Sequence, residues 1–257
     1  MPTPRLFDVA GRTALVTGSS RGIGRALARG LLEAGCAVVV NGRRPDAVAA
    51  AARELAEETG GTTHPYAFDV TDPGAVEDAV ARIEDEVGPL DVLVNNTGVQ
   101  QRAPFTEFSS EDWQKMLDTN LSSAFYVARA VANRMVPRGR GKIVNVLSVQ
   151  SELARPGIAP YSATKGGLKM LTRGMCADLA RHGICVNGLG PGYFATELTA
   201  PLVADETFSA WVAQRTPAGR WGRVEELVGP LLFLCSPASD FVNGQVLHVD
   251  GGMLAVL

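Results

Sequence analysis

The sequence predicts an α/β protein with a doubly wound parallel sheet of about seven strands, flanked by helices on both faces. Short β-branched runs alternate with longer helical patterns along all 257 residues. The run at residues 37–40 is continuously apolar, as in a strand that is covered on both faces. No linker or low-complexity tract divides the chain, so we predict one domain over residues 1–257.

Residues that start or stop helices separate the predicted elements. Gly35 suits a helix C-terminus, and Asp72 followed by Pro73 suits a helix N-terminus. Proline and glycine blur the pattern at residues 193–222. The predicted strands are residues 13–17, 37–40, 64–68, 91–94, 142–147, 184–189 and 245–249. The predicted helices are residues 23–33, 46–59, 72–87, 110–135, 161–182 and 224–235.

The composition excludes several classes of protein. Hydrophobic residues make up 46% of the chain and the net charge is -3, so disorder and broad nucleic-acid or lipid binding are not expected. The four cysteines and three histidines show neither disulfide nor metal-ligand spacing. No signal peptide or membrane-length apolar run is present. We therefore expect a cytoplasmic protein without a metal, whose partner is a small molecule.

The loop after the first strand contains glycines with the spacing GxxxGxG, at Gly18, Gly22 and Gly24. Glycines at a strand-to-helix junction let backbone N–H groups approach a pyrophosphate at the helix N-terminus. A simple tight turn is the alternative, but the position in the fold favours a dinucleotide site of the Rossmann type. The other residues expected to contact the cofactor in this loop are Ser20, Arg21 and Ile23.

The end of the second strand distinguishes NADP from NAD. An NAD site usually places a carboxylate there to bind the ribose 2′-hydroxyl, whereas this chain has Arg43 and no acid. Arg43, with Arg21, could pair with a 2′-phosphate, although both could also be solvated surface residues. We predict NADP(H) as the cofactor.

Residues after the third and fourth strands are further candidates for cofactor contacts. Asp69, with its neighbour Val70, could face the adenine, and the alternative for Asp69 is a turn or N-cap residue. Asn96 and Gly98 follow the fourth strand, where they either border the cofactor or form an ordinary turn.

Tyr161 and Lys165 are four residues apart at the start of a helix and therefore share one face. Lowering a phenol pKa of about 10 by about three units requires about 4 kcal/mol. One ammonium about 4 Å away supplies about that much at an effective dielectric near 20. We therefore expect Lys165 alone to lower the pKa of Tyr161 enough to make it a general acid/base.

Ser148 ends the fifth strand and could orient a substrate carbonyl, with Ser151 and Ser162 as competing candidates. No histidine is spaced as its base, which argues against a serine hydrolase.

With these motifs in this order, the chain resembles the short-chain dehydrogenase/reductase family over its whole length. The resemblance selects Ser148 over its neighbours and implies that Lys165 also holds the cofactor ribose. It adds Asn120, which would help to order a proton-relay water near Lys165. It further implies a homotetramer, a substrate lid at about residues 193–215, and nicotinamide contacts from Pro191, Gly192, Phe194 and Thr196.

Segments at residues 98–105, 150–155, 191–197 and 240–254 resemble the gluconate 5-dehydrogenase subgroup. This implies NADP-dependent interconversion of D-gluconate and 5-keto-D-gluconate by hydride transfer, with Tyr161 as general acid/base. Arg102 and Arg155 could hold the carboxylate of the substrate. Gln150 and Glu152 could bind the hydroxyl groups of the substrate. Solvated arginines are the alternative interpretation.

Two other functions remain open at this point. The scaffold also resembles 3-oxoacyl-acyl-carrier-protein reductases, and Arg102, Arg138, Arg140 and Arg155 could form a basic rim for an acidic carrier. A non-catalytic NADPH-binding regulator is the alternative of another class. Such a protein usually lacks the reactive serine, tyrosine or lysine, and this chain retains all three.

Overall fold

A computed structural model describes residues 3–257, apart from the side chains of Thr3, Pro4 and Leu198. Seven strands form one sheet in the order β3-β2-β1-β4-β5-β6-β7, and every neighbouring pair is parallel. The α/β fold class and its parallel sheet are therefore confirmed. The strands are β1 Thr13–Val16, β2 Ala37–Gly42, β3 Thr63–Ala67, β4 Val92–Asn95, β5 Gly141–Val146, β6 Ile184–Pro191 and β7 Val246–Val249.

The helices alternate with the strands as predicted, with small shifts of their ends. Those of the described chain are α1 Thr3–Leu6, α2 Gly22–Glu33, α3 Pro45–Thr59, α4 Pro73–Glu86, α5 Ser110–Leu117, α6 Ser123–Met135, α7 Ala159–Leu179, α8 Ala200–Val203, α9 Glu206–Arg215 and α10 Val228–Cys235. None of the helices within residues 3–257 has both the length and the hydropathy needed to cross a bilayer.

Successive residues of the central strands face two separate cores. In β2, Val38 and Val40 pack with α2, α3 and α10, whereas Val39 packs with α4 and α6 on the other face. All three valines are fully buried. Each contributes about 1.5–3 kcal/mol by leaving water, which explains why these strands are continuously apolar.

Three predicted helices differ from the structure, and the one expected at residues 161–182 ends in a 3₁₀ turn, Ala180–His182. The helix expected at residues 110–135 is interrupted by a π-helical turn, Asp118–Ser122, which separates α5 from α6. The helix expected to begin at residue 224 starts with a 3₁₀ turn, Val224–Leu227. Single π turns inside helices occur often at functional sites, and this one contains Asn120.

The blurred segment contains the short helix α8 and the helix α9, with Asp205 capping α9 by accepting from the Phe208 N–H at 3.0 Å. The aromatic residues Phe208 and Trp211 and the buried Val212 pack α9, so apolar residues do not recur along it with a clear helical period. The segment lies next to the carboxyl end of β6, where the loops of a parallel sheet form ligand sites.

Candidate active site

Hydrogen bonds from the fourth strand hold the glycine loop in place. The Asn96 Nδ2 donates to the carbonyl oxygens of Thr17 at 3.0 Å and Gly18 at 3.2 Å. The Thr17 Oγ1 accepts from the Asn96 N–H at 3.0 Å. A Cβ on Gly24 would lie 2.4 Å from both the Gly18 oxygen and the Asn96 Nδ2. The loop and the end of β4 therefore require glycine at this position.

Asn41 is a residue of this site that the sequence analysis missed. It is 1% exposed at the end of β2, and its Oδ1 accepts from the Gly18 N–H at 3.2 Å. Its Nδ2 donates to the Phe68 carbonyl at 3.2 Å, so one amide joins the loops after β1 and β3. A polar residue ending a strand of buried valines was the available signal.

The N-terminus of α2 fits the pyrophosphate of a dinucleotide. Its N-cap residue, Arg21, supplies no side-chain hydrogen bond to the first-turn N–H groups. Gly22 has a positive φ of 57° and open space on the side where a Cβ would project. Arg21 and Arg43 are exposed, whereas Arg25 of the same helix is held by Glu58 at 2.6 Å. These residues fit NADP because they leave backbone donors and guanidinium groups available.

Asp69 forms the turn that was the alternative interpretation of this residue. Its Oδ1 accepts from the Thr71 N–H at 2.9 Å and from the Thr71 hydroxyl at 2.7 Å. The Val70 side chain is 4% exposed and belongs to the core beneath β1 and β2. An adenine contact from this segment remains a prediction.

Ser148, Tyr161 and Lys165 come together beyond the carboxyl end of β5. The Ser148 Oγ accepts from the Gln150 N–H at 3.1 Å, which leaves the hydroxyl proton free to donate. Lys165 is 4% exposed, and its Nζ donates to the Val146 carbonyl at 2.8 Å. Burial lowers the pKa of Lys165 to about 8.

The expectation that Lys165 alone lowers the pKa of Tyr161 is wrong for this structure. Burial raises the pKa of Tyr161, the Ser148 side chain opposes this rise, and the Tyr193 side chain adds to it. The Lys165 Nζ lies 5.8 Å from the centre of the Tyr161 ring and is directed to a carbonyl. Burial is therefore the largest influence on the pKa of Tyr161, and the phenol is neutral at pH 7.

The Asn120 side chain is engaged by the protein on three sides. Its Oδ1 accepts from the Val99 N–H at 2.7 Å, and its Nδ2 donates to the Val99 carbonyl at 2.9 Å and the Thr164 Oγ1 at 3.2 Å. It therefore joins the loop after β4 to α7 next to Lys165. A contact with a relay water remains a prediction.

Arg102 and Arg155 lie near Tyr193, and in the part of the chain that the structure describes neither forms a salt bridge. Burial and the charge of Arg155 lower the pKa of Arg102, and the only opposing group is Tyr193. The Arg155 guanidinium lies over the Phe208 ring, 5.4 Å from its centre. Gln150 is 8% exposed and its Oε1 has no hydrogen-bond partner among the described residues.

Glu152 is paired with a lysine of α7, and its contact with a substrate hydroxyl remains a prediction. Its carboxylate accepts from the Lys169 Nζ at 2.6 Å and lies 3.9 Å from the His248 Nε2.

The segment after β6 closes one side of the site. The Gly192 N–H donates to the Val249 carbonyl at 2.9 Å, and a Cβ on Gly192 would lie 2.7 Å from the Asp250 Cα. Phe194 is 5% exposed, and the Thr196 Oγ1 accepts from the Thr199 N–H at 3.2 Å. Pro191 is the last residue of β6, and the nicotinamide contacts expected of this segment remain predictions.

Among the described residues, no group of three or more histidine, cysteine, aspartate or glutamate side chains is arranged to hold a metal ion.

Comparisons with known proteins agree with this geometry. The family model described as enoyl-(acyl carrier protein) reductase matches residues 18–254. The chain is 58% identical over 257 residues to the gluconate 5-dehydrogenase of Gluconobacter oxydans, covering 100% of both chains. It is 50% identical over 252 residues to the 5-keto-D-gluconate 5-reductase of Escherichia coli, covering 98% of this chain and 99% of that relative.

A solved structure shares both the fold and much of the sequence. The gluconate 5-dehydrogenase of Burkholderia cenocepacia, in complex with NADP and tartrate, superposes with a TM-score of 0.96 at 55% identity, covering 98% of this chain and 99% of that one. The chain belongs to the short-chain dehydrogenase/reductase family, as the order of its motifs predicted.

Proposed function

We propose that this protein is an NADP-dependent oxidoreductase that interconverts D-gluconate and 5-keto-D-gluconate. One observation carries the proposal: Ser148, Tyr161 and Lys165 lie together beside Arg102 and Arg155, and no carboxylate of the described residues pairs with either arginine. The first three side chains fit carbonyl reduction, and the arginine pair fits an anionic substrate. Relatives at 58% and 50% identity are named for these two sugar acids.

The proposed mechanism assigns one task to each reactive side chain. In the direction of reduction, Tyr161 donates its proton to the substrate oxygen as that oxygen gains negative charge. Ser148 donates a hydrogen bond to the same oxygen, because its own Oγ is held by the Gln150 N–H. Bound NADPH supplies the hydride that the carbonyl carbon receives.

Lys165 and Asn120 support the proton transfer. With a pKa of about 8, Lys165 is mostly cationic at pH 7, so it can stabilise the tyrosinate that forms as Tyr161 gives up its proton. Asn120 positions α7 against the loop after β4. The raised pKa of Tyr161 suits an acid that must be protonated at neutral pH.

The proposed NADP site uses the glycine loop and two arginines. Gly22 leaves open space for the pyrophosphate, whereas Gly18 and Gly24 let the loop pack against the end of β4. Ser20 and Ile23 belong to the same turn. Arg21 and Arg43 would bind the 2′-phosphate. The remaining proposed contacts are Asp69, Val70, Asn96, Gly98, Tyr161, Lys165, Pro191, Gly192, Phe194 and Thr196. The solved relatives with bound NADP support this choice of cofactor.

Initial rates of cofactor oxidation test the proposal. We expect turnover of 5-keto-D-gluconate with NADPH and much slower turnover with NADH. An acetoacetyl thioester is the matched alternative substrate, since a 3-oxoacyl-acyl-carrier-protein reductase shares the fold at 34% identity. Turnover of the thioester without turnover of the keto acid would contradict the sugar-acid assignment.

We also propose a homotetramer formed from one-domain chains, with residues 193–215 as the substrate lid. Exposed apolar side chains on and before α5, α6 and α7 support an interface between copies of the chain. These are Phe105 (78% exposed), Trp113 (40%), Phe125 (42%) and Met170 (59%). A solution mass near that of one chain, 27.1 kDa, would contradict the tetramer.

A cytoplasmic location is the last part of the proposal. The cysteines Cys36, Cys176, Cys185 and Cys235 are free, and all but Cys176 are buried, which suits a reducing compartment. Labelling of the native protein in cells with compartment-specific thiol reagents would test this assignment.

A further inference from the structure

Three polar side-chain atoms around Tyr193 are buried without a hydrogen-bond partner among the described residues. They are the Tyr193 hydroxyl, the Gln150 Oε1 and the Arg155 Nε. Buried polar groups in native proteins are almost always paired, so a cluster of unpaired ones requires an explanation. Two of these atoms can donate a hydrogen bond, and one can only accept.

The three side chains are neighbours of one another and of the reactive tyrosine. Arg155, Arg102 and Gln150 all lower the pKa of Tyr193 against the larger effect of burial, although none forms a hydrogen bond of good geometry with it. Tyr193 in turn raises the pKa of Tyr161. The cluster therefore extends from the reactive hydroxyl to the arginine pair.

The ring of Tyr193 is held by three other aromatic rings. Its centre lies 5.7 Å from that of Phe208, 5.6 Å from Trp211 and 5.7 Å from Trp221, all in edge-to-face geometry. The Trp221 Nε1 also donates to the Ser209 Oγ of α9 at 3.1 Å. A phenylalanine would pack equally well here, so the packing does not explain the hydroxyl.

We propose that Tyr193, with Gln150 and Arg155, determines substrate specificity by binding a carboxylate that is adjacent to a hydroxyl group. Tyr193 and Arg155 donate to the carboxylate, and the Gln150 Oε1 accepts from the neighbouring hydroxyl. This inference rests on the proposed function and narrows it to 2-hydroxy acids with a ketone further along the chain. The aromatic rings of α9 restrict the direction of the Tyr193 hydroxyl, so the lid itself carries part of the recognition.

The test is Tyr193→Phe, which removes the hydroxyl and keeps the ring. We expect the KM for 5-keto-D-gluconate to rise about 10- to 100-fold, as for the loss of one hydrogen bond to a charged group. The kcat should change by less than about threefold, because the lost hydrogen bond stabilises the bound substrate and the transition state equally. The KM for NADPH and the melting temperature should stay at the wild-type values. Tyr66→Phe is the matched control, since the Tyr66 hydroxyl donates to Glu86 at the surface, at 2.5 Å.

The outcomes separate this inference from the proposed function. If the wild type reduces 5-keto-D-gluconate and Tyr193→Phe has the same KM, the inference is wrong and the proposed function stands. A parallel rise in the KM for NADPH, or a large fall in melting temperature, would assign Tyr193 a structural role and also overturn the inference. If the wild type does not reduce the keto acid, both proposals fail together.

Discussion

Charged residues are paired at one end of the parallel strands and unpaired at the other. We call these two ends the amino edge and the carboxyl edge of the sheet. At the amino edge, a cavity of about 580 Å³ is lined by several charged groups, and each of the main ones is paired. Arg140 lies 3.4 Å from Asp91, and Lys142 lies 2.8 Å from Asp240. At the carboxyl edge, the Arg155 Nε, the Gln150 Oε1 and the Tyr193 hydroxyl are buried without a hydrogen-bond partner among the described residues. Unsatisfied polar atoms, rather than the volume of a cavity, therefore distinguish the candidate active site.

The largest effect expected at the carboxyl edge comes from Tyr161→Phe. Loss of the proton donor should lower kcat for 5-keto-D-gluconate on the order of a thousandfold. NADPH binding, measured by fluorescence titration, should persist because only the hydroxyl is removed. Tyr66→Phe removes a hydroxyl that donates to Glu86 at the protein surface, and it should keep wild-type turnover.

This variant also tests the non-catalytic alternative. A regulator that only binds NADPH would keep its cellular function in the Tyr161→Phe form. Unchanged cellular function together with no measurable turnover in the wild type would contradict the enzyme.

The second prediction concerns the stability contributions of two buried lysines, Lys165 at the carboxyl edge and Lys142 at the amino edge. Below pH 8, Lys165 is charged in both the folded and unfolded states, so folding bears the full desolvation cost. Between pH 8 and about 10.5, the folded protein loses this proton first, and the free energy of unfolding rises with pH. The full cost is about 3 kcal/mol.

Lys165→Met should therefore be more stable than the wild type at pH 7, by about 2 kcal/mol once the unpaired Val146 carbonyl is counted. The difference should shrink as the pH rises from 8 to 10. Lys142→Met is the control at the amino edge, where Asp240 and Ser239 pair with the lysine, and it should show no such gain. Urea unfolding at several pH values measures both variants, and equal behaviour of the two would refute the argument.

Local spacing explains why much of the fold and part of the site could be predicted. The continuous valine run of β2, the glycines of the first loop and the four-residue step from Tyr161 to Lys165 depend only on nearby residues. The carboxyl ends of parallel strands then bring such motifs to one edge.

Non-local packing explains what could not be predicted. The raised pKa of Tyr161 depends on burial, which spacing does not report. Asn41 joins two loops through contacts 23 and 27 residues away in sequence. The rings that surround Tyr193 come from α9 and from Trp221. They lie in residues 193–222, where the sequence shows no clear helical or strand period.

The smallest change in KM is expected from replacing an arginine of the carboxyl edge, and an arginine of the amino edge is its control. Arg155→Met keeps an apolar stem against Phe208 and removes the charge, so the KM for 5-keto-D-gluconate should rise about tenfold. Arg140→Met removes a charge that is 71% exposed beside Asp91, and kinetics should not change. If the two variants show the same KM, the distinction between the edges fails. In the double variant Tyr193→Phe/Arg155→Met, the two effects should be less than multiplicative, because both side chains would hold the same carboxylate.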